Sequence, residues 1–124
     1  MNYKIAILAI IALACSNGTL SQPEGKYCGN ILGNILTIDV NVSQHSANVT
    51  ADIFGTNLNC PKELYTYNTT SSQLQLPSDP NDCLNKALSE YGVCPCPPDV
   101  LYDSKINELT IENTPLGSIP LKSC

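Results

Sequence analysis

The chain has 124 residues, enough for one domain, and sets six Lys and no Arg against eleven Asp plus Glu, a formal charge of −5. No basic stripe is available to neutralise phosphates, which argues against nucleic acid as a partner. A single His and no Trp leave little material for imidazole chemistry or for a histidine-built metal site.

The first segment reads MNYKIAILAIIALACSNG. Lys4 precedes Ile5 to Ala14, a run without a polar side chain. That run is too short to span a bilayer and matches the apolar region of a signal peptide. Residues 1–16 are therefore expected to be a leader, cut near 14–18 after Ala12-Leu13-Ala14 or Ala14-Cys15-Ser16. The product would be one secreted domain, 17–124, with no transmembrane segment. The alternative is a lipid anchor on Cys15; against it, Ala12 stands where a large aliphatic residue is usual. Losing Lys4 makes the charge −6, spread along the chain and suited to solubility more than to steering.

Residues 35–54 carry the clearest pattern. Leu36, Ile38, Val40 and Val42 alternate with polar residues, as do Ala47, Val49, Ala51 and Ile53. Period-two alternation predicts two half-buried strands, joined by the turn Ser43-Gln44-His45-Ser46. Pairing Val42 with Ala47, Val40 with Val49 and Ile38 with Ala51 puts every apolar residue on one face. Asn41 and Asn48, both in glycosylation sequons, then fall opposite each other on the polar face. Asn68 heads a third sequon in a predicted turn, and Asn17 a fourth near the leader.

Leu64 to Tyr67 and Gln73 to Leu76 predict a second hairpin around Asn68–Ser72. Tyr65 and Tyr67 share a face there, as cross-strand packing or as an aromatic ligand contact. Asp79-Pro80 opens the one predicted helix, about 80–91, with Asp79 as N-cap, an apolar stripe of Cys83, Leu84, Ala87, Leu88 and Tyr91, and Gly92 as its stop. Pro95 to Asp99 is irregular. Val100–Tyr102 and Ile106–Glu112 predict a third hairpin. Ser118–Lys122 predicts a last strand, placed at an edge by Pro120.

After leader removal the cysteines are Cys28, Cys60, Cys83, Cys94, Cys96 and Cys124. An even count in a short secreted chain reads as a disulfide framework with fifteen pairings. Three of these join Cys94 to Cys96 across a tight ring and are disfavoured, leaving twelve. The preferred arrangement ties Cys124 to Cys28 and uses Cys83 to pin helix to sheet. Cys94-Pro95-Cys96 lacks the companions of a zinc site and any neighbouring base to activate a thiol, so a structural role is expected.

Glu24-Gly25-Lys26-Tyr27-Cys28-Gly29 resembles the Gly-x-Trp opening of the lipocalins, with Tyr27 in place of tryptophan. That resemblance implies a cup for an apolar small molecule. About 108 mature residues supply six or seven short strands where that family has eight long ones.

Catalytic constellations are sparse. His45 lies at a hairpin tip. Asp39 and Asp52 share the outer face of the first hairpin, in open solvent, which is a poor place to raise a carboxyl pKa. Asp79, Asp82, Asp99 and Asp103 cluster in sequence without EF-hand spacing. No phosphate cradle or nucleotide fingerprint appears. No cofactor and no metal is expected.

The expected fold is therefore mainly β: a small antiparallel sheet or partly closed barrel of hairpins with one helix, stapled by disulfides. The expected function is non-catalytic binding of a small apolar ligand or an extracellular surface partner by a monomer. One alternative is an enzyme inhibitor or structural secreted protein presenting the Cys94–Asp99 loop. Another is a small carboxylate hydrolase. A carrier calls for an apolar cavity of about 300 Å³ or more. An inhibitor calls for a filled core and an exposed rigid loop, and a hydrolase for two carboxylates converging in a cleft.

Overall fold

The computed structural model describes residues 22–124; the leader, Cys15 and Asn17 lie outside them. The strands are β1 (Gly25–Ile31), β2 (Leu36–Val42), β3 (Ser46–Ile53), β4 (Thr56–Leu64), β5 (Thr66–Asn68) and β6 (Gln73–Gln75). A helix, α1 (Cys83–Glu90), follows, then β7 (Asp99–Asp103), β8 (Glu108–Thr114) and β9 (Gly117–Ser123). All nine strands form one antiparallel sheet in the order β4-β3-β2-β1-β9-β8-β7-β6-β5. β4 and β5 are the two edges of that sheet, yet only Tyr65 separates them in the chain. The sheet must curl until its edges nearly meet, which makes a nearly closed barrel and removes most of the exposed strand edge.

The predicted hairpin register is the observed one. Val42 faces Ala47, Val40 faces Val49, Ile38 faces Ala51, and Asn41 faces Asn48. Alternation decides this, because a one-residue slip would turn every apolar side chain outward. The third hairpin also forms, between β7 and β8.

Two strands were not predicted. β1 covers Gly25 to Ile31, which carries little alternation. It is held by β2 along its whole length and by β9 at Tyr27 and Cys28. β4 contains Pro61, a residue that argues against strand in a central position. Here it sits on an edge, beside the register shift between Ala47 and Val49. Lys62 takes a φ of 56° there and donates its N–H to Asn48 Oδ1 at 2.9 Å. A bulge on an edge strand tolerates the proline.

Four expectations are corrected. The helix begins at Cys83, with Asp82 as N-cap accepting from the Asn85 N–H at 3.4 Å. Asp79 instead accepts from the Asn81 N–H in the preceding turn. Along the stripe, Leu84 and Ala87 are buried, but Cys83 and Tyr91 are exposed, and Asn85 is buried instead. Asn85 Nδ2 donates to the Pro77 and Asp79 carbonyls, which ties the helix start to the turn before it. The second hairpin is shorter than expected, leaving Leu64 exposed and Tyr65 between strands. Finally, β9 lies inside the sheet between β1 and β8. Its ladder to β1 covers only Ser123 and Lys122, so Pro120 falls beyond it and costs no bond on that side.

The sulfur pairing is Cys28–Cys124, Cys60–Cys83 and Cys94–Cys96. The first closes the domain ends as preferred, and the second joins β4 to the helix. The third overturns the expectation against a bridge across one proline. The backbone brings the two Cα atoms to 4.7 Å, within the range a disulfide accepts.

Candidate functional site

The two ends of the barrel differ in chemistry. At one end β2 turns into β3 and β7 into β8. Tyrosines close this end. Tyr27 is fully buried; its Oη accepts from the Glu24 N–H at 3.1 Å and donates to Asn107 Oδ1 at 2.8 Å. Tyr102 Oη donates to the same Asn107 oxygen at 3.0 Å. The Tyr27 and Tyr102 rings meet edge-on at 6.4 Å, and Tyr67 meets Tyr102 at 6.0 Å. Tyr65 Oη donates to the Ser43 carbonyl. Burial and the neighbouring Tyr27 push the Tyr102 hydroxyl up to about 12, so it stays a donor at neutral pH.

The other end gathers the β1–β2, β3–β4 and β8–β9 turns and the segment that leads into β7. Large apolar side chains stand exposed there: Leu32, Ile35, Phe54 (67% exposed) and Leu116 (45%). Between rim and floor lies a lumen of about 130 Å³. Phe54, Val93, Pro95, Pro98, Pro115 and Leu116 line its rim. Deeper, the inward faces of β2, β3, β4 and β8 supply Ile38, Val40, Ala51, Leu58 and Ile111. These five remain only half-buried, whereas Leu36 and Val42 at the ends of β2 are buried. The interior is thus underfilled at mid-strand. Leu84 and Leu88 of the helix complete the wall beside β4.

One charged side chain lines this lumen. Glu63, on β4, is 3% exposed. Its Oε1 accepts from the Leu84 N–H at 2.9 Å, at the first turn of the helix. Burial chiefly, then the neighbouring Asp82 carboxyl, holds its carboxyl up at about 7, against the pull of the Leu84 N–H. Strand burial by alternation could have found it only with the bulge in view: Ala47 faces Glu63, but Val49 faces Cys60. The register shift turns inward a residue that simple alternation from Cys60 would put outside.

Glu63 lies beside the Cys60–Cys83 bridge, and the three ligand atoms lie within 4.8 Å of one another. Both sulfurs are bonded to each other, so they are not thiolate ligands. A carboxyl held near 7 can exchange a proton at neutral pH. The other polar groups of the lumen are already engaged: Tyr65 Oη by Ser43, and Thr114 Oγ1 by Gly117 O and the Leu116 N–H.

The remaining predicted residues are dispersed. Tyr65 reaches the lumen, whereas Tyr67 packs on Tyr102. Asn41, Asn48 and Asn68 are all exposed; Asn48 receives the Lys62 N–H, and Asn68 the N–H groups of Thr70 and Ser71. His45 is exposed at its turn. Asp39 is exposed, and Asp52 receives the Gly55 N–H. The carboxylates that converge are Glu63 and Asp82. Asp99 and Asp103 stand at opposite ends of β7 and do not join Asp79 and Asp82 in one cluster. In the Cys94–Asp99 loop, Cys94 is exposed while Pro95 to Asp99 are half-buried, turned toward the rim.

Comparisons of the chain with protein-family models, with curated proteins and with solved structures return no match. No helix among the described residues is long and apolar enough to cross a membrane.

Proposed function

We propose that this protein is a secreted, non-catalytic binder of a small apolar ligand, held in the lumen of the barrel. The observation that carries this reading is the apolar, underfilled interior continuous with an apolar rim. Its volume, about 130 Å³, is below the 300 Å³ or more expected of a site that swallows a drug-sized molecule. It is close to the roughly 150 Å³ that suffices for one aromatic ring. The lumen therefore takes a single ring or a short alkyl chain, and Phe54, Pro115 and Leu116 meet whatever projects beyond it. Three disulfides support maturation in an oxidising compartment.

Toluene is the probe that tests this. Titration into the isotopically labelled, disulfide-intact protein is expected to give saturable shifts at the Val49, Ala51, Leu58 and Ile111 amides. Ala51→Phe fills the lumen and is expected to abolish them. Shifts confined to the outer face of the sheet, or none at all, would overturn the reading.

A further inference from the structure

Three lumen side chains carry polar atoms, and two are satisfied within the protein: the Tyr65 and Thr114 hydroxyls. Glu63 is the exception. Its Oε2 is buried, and among the described residues no N–H or O–H reaches it. An acceptor buried without a donor costs about 1–3 kcal/mol, and an apolar side chain of similar size would avoid that cost. The neighbouring Asp82 offers only another carboxylate, unless a proton lies between the two. The wall around Glu63 is otherwise apolar: Val40, Leu58, Leu76 and Leu88 pack beside Leu84. Small-molecule sites have this composition, an apolar body with one or two polar groups that fix orientation.

We propose that the ligand of the lumen carries one hydrogen-bond donor, an alcohol or an amine, on an apolar body, and that the donor docks on Glu63 Oε2. This rests on the lumen being a binding site. Above pH 7, where Glu63 is ionised, ligands with a carboxylate are rejected by like charge. Apolar ligands without a donor bind but leave Oε2 unpaired. A site that hydrogen-bonds one ligand group discriminates strongly against an analogue that lacks it.

Four probes of one ring each separate these cases: benzyl alcohol, benzylamine, toluene and benzoate. Binding to the disulfide-intact protein is followed at pH 8, with Glu63 ionised, by calorimetry or by ligand-detected NMR. The alcohol and the amine are expected to bind roughly tenfold or more tightly than toluene, and benzoate more weakly than all three. Glu63→Leu should keep toluene binding and bring the alcohol and amine down to its level. Glu63→Gln, which keeps a carbonyl acceptor, should keep the preference for the alcohol and lose most of that for the amine; it carries the test if the leucine variant does not fold. Equal binding of toluene, alcohol and amine to the unaltered protein would overturn the proposal, with Oε2 then satisfied by a proton shared with Asp82, and would leave the lumen reading standing. Failure of every probe, toluene included, would overturn both.

Discussion

At the scale of single residues, Glu63 stands out for a polar group inside apolar surroundings, and Asn107 for joining two tyrosine hydroxyls. Glu63 is protonated more readily in the folded protein than in the unfolded chain, since its carboxyl is held up at about 7. Its contribution to stability is therefore fully present below the ordinary carboxyl range and is lost as pH rises through 7. Relative to Glu63→Gln, the unaltered protein is expected to lose roughly 3 kcal/mol between pH 4 and pH 8, measured by urea unfolding at both pH values. Equal pH dependence in the two proteins would show that Glu63 is not desolvated as described. Asn107 accepts from both Tyr27 and Tyr102 and has a φ of 51°, a conformation asparagine tolerates better than most residues. Asn107→Ala leaves the Tyr102 hydroxyl unpaired, whereas Tyr27 Oη keeps the Glu24 backbone as partner. The expected cost is about 1–3 kcal/mol, read as a drop in denaturation midpoint at constant slope.

At the scale of elements, β1 and β9 approach tightly at Gly29. A Cβ at Gly29 would lie 2.5 Å from Leu121 Cδ2 and 2.6 Å from the Pro120 carbonyl oxygen. The oxygen belongs to backbone and cannot swing aside, so the strands must move apart. Gly29→Ala is therefore expected to destabilise by about 1–3 kcal/mol, whereas Gly33→Ala, in open space in the β1–β2 turn, pays only for its positive φ. Comparing the two thermal midpoints checks this. The helix has a comparable role, because Leu84 and Leu88 stand where the curling sheet does not quite close. Gly92, with a φ of 68°, ends it, and the Val93 N–H bonds back to Leu88. The chain then turns to place Pro95 and Pro98 on the rim.

At the scale of the whole molecule, the bridges differ in what they restrict. Cys28–Cys124 closes a separation of 96 residues, Cys60–Cys83 one of 23, and Cys94–Cys96 one of 2. Chain entropy alone ranks their removal at about 4–5, about 3 and under about 2 kcal/mol. Paired Cys→Ala variants, compared by chemical unfolding, are expected to follow that order. Peptide mapping of the oxidised protein should recover the same three linkages; a bridge from Cys94 or Cys96 to any of the other four would refute the arrangement at the rim.

The amino-acid pattern alone determined the β2–β3 register, the β7–β8 hairpin and a helix after Asp79-Pro80, and it favoured, among twelve open pairings, the tie between Cys28 and Cys124. Each of these follows from local periodicity, local turn chemistry or the position of a residue near a chain end. Only the tertiary structure decided the rest. β1 and β4 become strands because neighbours pair with them, not because their own residues alternate. Pro120 sits inside the sheet because its ladder to β1 is short, a property of two strands far apart in sequence. Glu63 points inward because a bulge at Pro61–Lys62 shifts the alternation by one. The lumen exists because β4 and β5, adjacent in the chain, are opposite edges of one sheet, and bending that sheet round leaves more interior than its short side chains fill.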